Sequence, residues 1–195
     1  MSLKEIQNKY WSMLYDAVTN RGSPFRIPVF MCAHQDEIDG RIVVLRKSDR
    51  ENNLLQFHTD FRSPKILSLQ QNNNSLFVFY DHKLKIQLRI KTISTINNQN
   101  KITEEIWEKT ELFSRKCYLT EKAPSSVTSI PKDGIDESLK GKEPTFEESE
   151  KGYKNFTVVQ NKIKQIDWLY LAASGHRRLK IGLKEDIPSF KWLIP

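Results

Sequence analysis

Residues 40–65 read GRIVVLRKSDRENNLLQFHTDFRSPK, and this stretch limits the fold more than any other. Arg41 and Arg46 flank an apolar run, Ile42-Val43-Val44-Leu45. A polar turn from Asp49 to Asn53 follows, and Leu54 to Thr59 is strand-like again. Ser63 suits a helix N-cap and Pro64 the first helical position, where no backbone donor is lost. The stretch therefore predicts strand, turn, strand, and a helix running to about Asn73. A helix start gathers unpaired N–H groups and the positive end of the dipole, which attract phosphate. Arg62 and Lys65 bracket that end, and Arg41 and Arg46 can converge on it from the preceding strand. The unit reads either as a pocket for one dianionic phosphate beside a sheet or as a hairpin with solvated charges, the usual state of charged side chains.

The rest of the chain alternates in the same way. Ser2 to Val18 predicts an amphipathic packing helix: Ser2 and Glu5 make a capping box, and Leu3, Ile6, Tyr10, Leu14 and Ala17 recur at helical spacing. Phe25–His34 predicts a strand, held to an edge or bulge by Pro28, and Gln35–Gly40 a hairpin turn. Ser75–Tyr80 and Lys85–Ile96 predict strands; in the second, Ile86, Leu88 and Ile90 share one face and Gln87, Arg89 and Lys91 the other. Thr103 is placed to cap a helix from Glu104 to about Lys116. Residues 123–144 hold Pro124, Pro131, Pro144, Gly134 and Gly141, the composition of a mobile loop. Glu147–Tyr153 predicts a short helix, and a meander follows: Asn155–Gln160, Lys164–Ala172, Arg178–Lys184 and Phe190–Ile194. Strands joined by short turns, with isolated helices, imply a mainly β, α+β chain: one antiparallel domain over residues 1–195, with an N-terminal helix within 1–20. A closed or split barrel is preferred because it removes edge strands.

Length and charge exclude several classes. At 195 residues the chain can bury one proper core. The start, Met1 to Glu5, has no apolar segment of a signal peptide, and no run reaches membrane-spanning length. Cys32 and Cys117 fit no zinc spacing, which favours a reduced, cytoplasmic setting. His34, His58, His82 and His176 show no metal-ligand pattern, so no metal is expected. The net charge of +7 suits an anionic small molecule. The lysines are scattered and not interleaved with aromatics, so neither a nucleic-acid nor a membrane partner is expected.

Several motifs together resemble the pyridoxamine 5'-phosphate oxidase family. Arg41–Arg46 is similar to its R-x-V-L-L-K strand, Phe57–Asp60 to its F-Y-T-N strand, Arg62–Lys65 to its S-R-K helix start, and Leu84–Arg89 to its L-x-R-Q-V-x strand. Thr59–Lys65, Ala123–Ser126, Asn155–Val158 and His176–Arg178 resemble the T-D-x-R-S-x-K, A-P-x-S, N-F-x-V and H-R-R patterns of a less characterised, oxidase-related branch. The resemblance implies an FMN-binding split barrel, with Arg41, Ile42, Val43, Arg46, His58, Thr59, Arg62, Ser63, Lys65 and Gln87 at the cofactor. It also implies a homodimer with flavin near the interface, and the aromatic and aliphatic load of Trp168, Leu169, Tyr170, Leu171 and Trp192 fits such a contact. Arg178 and Lys180 would face the substrate.

The departures bear on activity. Arg46 stands for the family's lysine, His58 for its tyrosine, Pro64 for its arginine, and Lys180 for the histidine of R-L-H. The resemblance implies an FMN-dependent oxidoreductase on an unidentified small anionic substrate, and the departures imply that pyridoxamine phosphate is not its main one. The alternative is a flavin-binding protein without turnover, serving electron transfer, storage or sensing. No residue is assigned a catalytic role.

Overall fold

The structure, a computed structural model, describes residues 2–184 and 187–195; Met1, part of the N-terminal reading, lies outside them. Helix α1 (Leu3–Thr19) opens the chain with the expected Ser2–Glu5 capping box and buries Ile6, Tyr10, Trp11, Leu14 and Ala17. Strands β1 (Val29–His34), β2 (Glu37–Ile42), β3 (Leu45–Asp49) and β4 (Leu54–Asp60) lead to helix α2 (Pro64–Gln71). Strands β5 (Asn74–Asp81) and β6 (Ile86–Asn98) come next, then helices α3 (Lys101–Glu108), α4 (Leu112–Arg115) and α5 (Phe146–Glu150). Strands β7 (Phe156–Tyr170), β8 (Arg177–Lys184) and β9 (Ile187–Leu193) end it.

All pairings are antiparallel, and the order is β2-β1-β5-β6-β7-β4-β3. The long β7 splits the sheet: its first half pairs with β4, its second with β8, which carries β9. The barrel closes where Val43 N–H donates to Pro28 O (3.1 Å) and Leu45 N–H to Arg26 O (2.9 Å). Inside, Phe25, Phe30, Phe57, Phe77 and Phe79 are almost fully buried with ring centroids 4.8–6.2 Å apart. Removing one such ring costs about 3–5 kcal/mol. Helix α1 packs against β3 and α2 against β1. A second apolar cluster, Trp107, Tyr118, Phe156 and Val158, lies on the other face of β7, beneath α3.

Several boundaries differ from expectation. The hairpin turn is confined to Gln35 and Asp36, and β2 begins at Glu37. The strand predicted over 41–46 is broken at Val43–Val44, because the chain leaves β1 there to close the barrel. Helix α3 starts earlier, capped by Asn100 with Thr103 as its box partner. It ends at Glu108; α4 and a 3₁₀ turn over 116–118 follow separately. The two strands expected at 155–160 and 164–172 are one, β7. Residues 123–144 hold only one short 3₁₀ turn, at 137–139.

Candidate functional site

The inner face of β4 and the start of α2 build a cradle. Ser63 occupies the N-cap position, but its hydroxyl makes no cap bond. It accepts instead from Lys65 Nζ at 2.7 Å, and Thr59 Oγ1 accepts from the same ammonium at 2.8 Å. Packing of α2 on β1 buries the Lys65 stem, leaving the residue 8% exposed. Among the described residues, the Lys65 partners are hydroxyls and not a carboxylate. Burial, followed by the nearby Arg41 charge, pushes its pKa down to about 8. Arg41 stands opposite Phe30 in the β1–β2 register and pairs with Asp39. A buried cation with only weak acceptors, at a helix start, fits a dianionic phosphate.

Arg62, expected beside these residues, turns away. Its guanidinium is held by both Asp60 oxygens, at 3.0 and 2.7 Å, and by Thr120 O and Thr120 Oγ1, both at 2.9 Å.

Arg46 and His58 belong to another place. Arg46 is the extra residue of a β-bulge between Leu45 and Lys47, a device that re-aims a side chain. With His58, on the outer face of β4, it lines a cavity of about 340 Å³ shared with Arg21, Lys109, Ser114 and Tyr118. Among the described residues, Arg21, Arg46 and Lys109 make no ion pair. The His58 ring stands edge-on to Phe156, with Nε2 3.2 Å from Gln56 Nε2. Burial, and then Arg46, lower its pKa to about 4, so it is neutral near pH 7. The amide nitrogen of Gln56 then donates to Nε2, leaving the proton on Nδ1. Arg21 and Lys109 carried no readable signal: both sit in turns, and only the tertiary fold sets them beside β3.

The remaining candidates sit on the uncovered part of the sheet's outer face, except Val43, which is buried in the core. The register aligns Tyr80, Gln87, Leu169, Arg178 and Leu193 in one row, and Ile42, Val29, Val78, Arg89, Asp167, Lys180 and Lys191 in the next. Ile42 is 63% and Tyr80 47% exposed. Asp167 is clamped by Arg178 (3.1 and 2.8 Å) and Arg89 (2.5 Å). These two arginines hold its carboxyl below the usual range against the upward push of burial, which is the largest single influence. Arg89 Nε is buried without a partner. Trp168, read as a dimer residue, is fully buried in its own core; Trp192 is 55% exposed.

Residues 8–98 match the family model described as pyridoxamine 5'-phosphate oxidase, FMN-binding domain. No curated protein matches the sequence significantly. Among solved structures, a pyridoxamine 5'-phosphate oxidase-related, FMN binding protein from Nostoc punctiforme PCC 73102 superposes with a TM-score of 0.73 at 18% identity, covering 100% of both chains. PhzG from Burkholderia lata 383, in complex with tetrahydrophenazine-1-carboxylic acid, gives 0.72 at 14% identity over 100% of this chain and 94% of its own. A Clostridium acetobutylicum protein related to general stress protein 26 gives 0.52 at 12% over 95% of each. At such identities the likeness is one of fold. Residues 8–98 are thus similar in sequence to the FMN-binding domain of the pyridoxamine 5'-phosphate oxidase family, and the chain along its length has the split-barrel fold of the solved FMN-binding proteins it superposes on.

Proposed function

We propose that this protein binds FMN and works as an FMN-dependent oxidoreductase on a small anionic molecule. The observation that carries the reading is Lys65, buried beside Ser63 and Thr59 with hydroxyls as its only described partners. Lys65, the Ser63 hydroxyl and the first N–H groups of α2 hold the phosphate, and Arg41 adds a second cation. Gln87 supplies an amide that can donate to and accept from a polar ring edge. When bound, the flavin supplies the hydride chemistry, and the chain positions and screens it. The Arg21–Arg46–Lys109 cavity suits the substrate's acidic group, and the fold relative PhzG holds a carboxylic acid.

The working unit is a homodimer. The uncovered face joins apolar Ile42, Val29, Val78, Tyr80 and Leu169 to Gln87, Arg178 and Lys180, and a second copy would cover it. Isologous pairs are the commonest oligomers. Two free cysteines suit a reduced, cytoplasmic setting. Light scattering with FMN bound tests assembly: Val78→Lys should convert a dimer to a monomer, and a monomeric parent protein would refute it.

One observation favours turnover-free flavin binding as the second reading: the Arg178 fork, expected at the substrate, is already filled by Asp167. The visible spectrum of the purified protein, followed by anaerobic titration with reductants, tests both readings. Absence of flavin binding refutes both. Bound flavin that no small molecule bleaches leaves the carrier. Pyridoxamine phosphate under air should not turn over at about one per second or faster, because Lys180 replaces the flat imidazole of the family's R-L-H with a flexible point charge.

A further inference from the structure

Three of the motifs meet at a place the phosphate cradle does not use. Asp60 and Arg62 belong to the first and Asn155 to another, and the segment they grip leads into the third, Ala123–Ser126. Asp60 accepts from the Arg62 backbone N–H at 2.8 Å as well as from its guanidinium. That guanidinium reaches across to Thr120, which lies 58 positions further along the chain. Asn155 Nδ2 donates to Tyr118 O at 2.9 Å, while Asn155 O accepts from Phe61 N–H at 2.7 Å. Just beyond, Glu121 N–H donates to Gly134 O at 3.2 Å and closes the neck of a strap. Gly134 turns there with φ +74°, a conformation glycine adopts without strain.

The strap encloses a cavity of about 340 Å³ whose lining includes Lys122, Ser125, Ser126, Thr128 and Lys132. Cys117 lines both this cavity and the one containing Arg46 and His58. The hydrogen bonds within 123–134 are local, from Ser126 N–H to Ala123 O and from Thr128 Oγ1 to Ile130 O. The strap's polar attachment to the barrel is therefore concentrated at its neck.

We infer that Asp60, Arg62 and Asn155 form a clamp that seats the 119–134 strap as a wall of the ligand cavities, with Arg62 a positioning residue and not a phosphate ligand. Nε, Nη1 and Nη2 of Arg62 are all committed to Asp60 and Thr120, so a phosphate in the cradle would have to break the clamp to use them. Lysine at this position has one nitrogen and cannot span both partners.

Hydrogen exchange read by mass spectrometry tests the clamp without any ligand. In Arg62→Ala, peptides from 119–134 should exchange about tenfold faster or more, while β5, β6 and β7 keep the parent rate. Arg62→Lys should restore only part of the protection. The second readout is the ratio of FMN to riboflavin affinity, which Arg62→Ala should leave unchanged because the strap does not distinguish the phosphate. Parent-like exchange in the strap overturns the clamp, and so does a loss confined to FMN with riboflavin untouched. If Arg62→Ala does not fold, Thr120→Val keeps the Asp60–Arg62 pair and removes one strap acceptor; its strap should still exchange several-fold faster, and no change overturns the proposal.

Discussion

Adjacent residues of β4 serve two cationic regions on opposite faces of one strand. Thr59 faces inward to Lys65, where the cation is buried, held by two hydroxyls and short of a proton-stabilising partner. His58 faces outward to Arg21, Arg46 and Lys109, where the cations make no ion pair among the described residues and the titratable ring is the buried group. In the cradle, desolvation weakens a positive charge that a bound dianion would restore. In the cavity, desolvation keeps an imidazole neutral while exposed cations carry the charge. A region of the first kind suits a resident group bound tightly through one phosphate; a region of the second kind suits an anion that enters and leaves.

The largest test of this contrast removes the cradle's charge. Charge-assisted hydrogen bonds are worth about 1.5–3 kcal/mol each, so Arg41→Ala with Lys65→Ala should weaken FMN by about a hundredfold or more in calorimetry. An unchanged affinity would place the phosphate elsewhere.

Acid should act on the other face. His58 titrates near 4 when folded, against 6.5 for the free side chain, so the unfolded chain takes up the proton first. Stability present above pH 6.5 is then lost as pH falls toward 4. The loss is on the order of 3 kcal/mol, read as the urea midpoint. His58→Phe should flatten that slope.

Alkali should act on the cradle. Lys65 titrates near 8 when folded and 10.5 when free. The ligand-free protein therefore gains stability as pH rises through that window, because the unfolded chain holds the extra proton. FMN affinity should fall over the same window, by about tenfold at most per pH unit. Lys65→Arg should remove this dependence even if it lowers the affinity.

The smallest effect sharpens the boundary between the regions. Lys109→Ala should change FMN affinity by no more than about twofold, as expected for an exposed charge outside the cradle. A loss comparable to that of Lys65→Ala would merge the two regions into one site.

Local signals explain which parts of this arrangement could be read in advance. Ser63-Pro64 marked the α2 start, and strict alternation from Ile86 to Ile90 identified both faces of β6. The break at Val43–Val44 carried no such mark: the run is β-branched and favours a continuous strand, and the interruption exists only because Arg26 and Pro28 lie alongside. Lys65, Ser63, Thr59 and Arg41 could be grouped because they sit within one strand–helix unit. Arg62 could not be separated from them, since its partner Thr120 is distant in sequence. Arg21 and Lys109 were missed for the same reason.

Lys164 is the unpaired extra residue where the β6–β7 register shifts, between Lys91↔Gln165 and Thr92↔Ile163. Odd-numbered residues such as Val159 and Ile163 face the interior before it; even-numbered ones such as Ile166 and Trp168 do so after it. One residue thus reverses the parity of the strand midway, just where β7 leaves β4 and takes up β8. Deleting Lys164 would set Gln165 directly after Ile163, opposite the consecutive Lys91 and Thr92, giving a regular ladder in which Trp168 still faces the core; what would be lost is the local bend and added twist of the bulge. The extra residue therefore serves the turn of β7 from β4 toward β8, and a one-residue deletion there should change the twist of the strand while leaving its core residues in place.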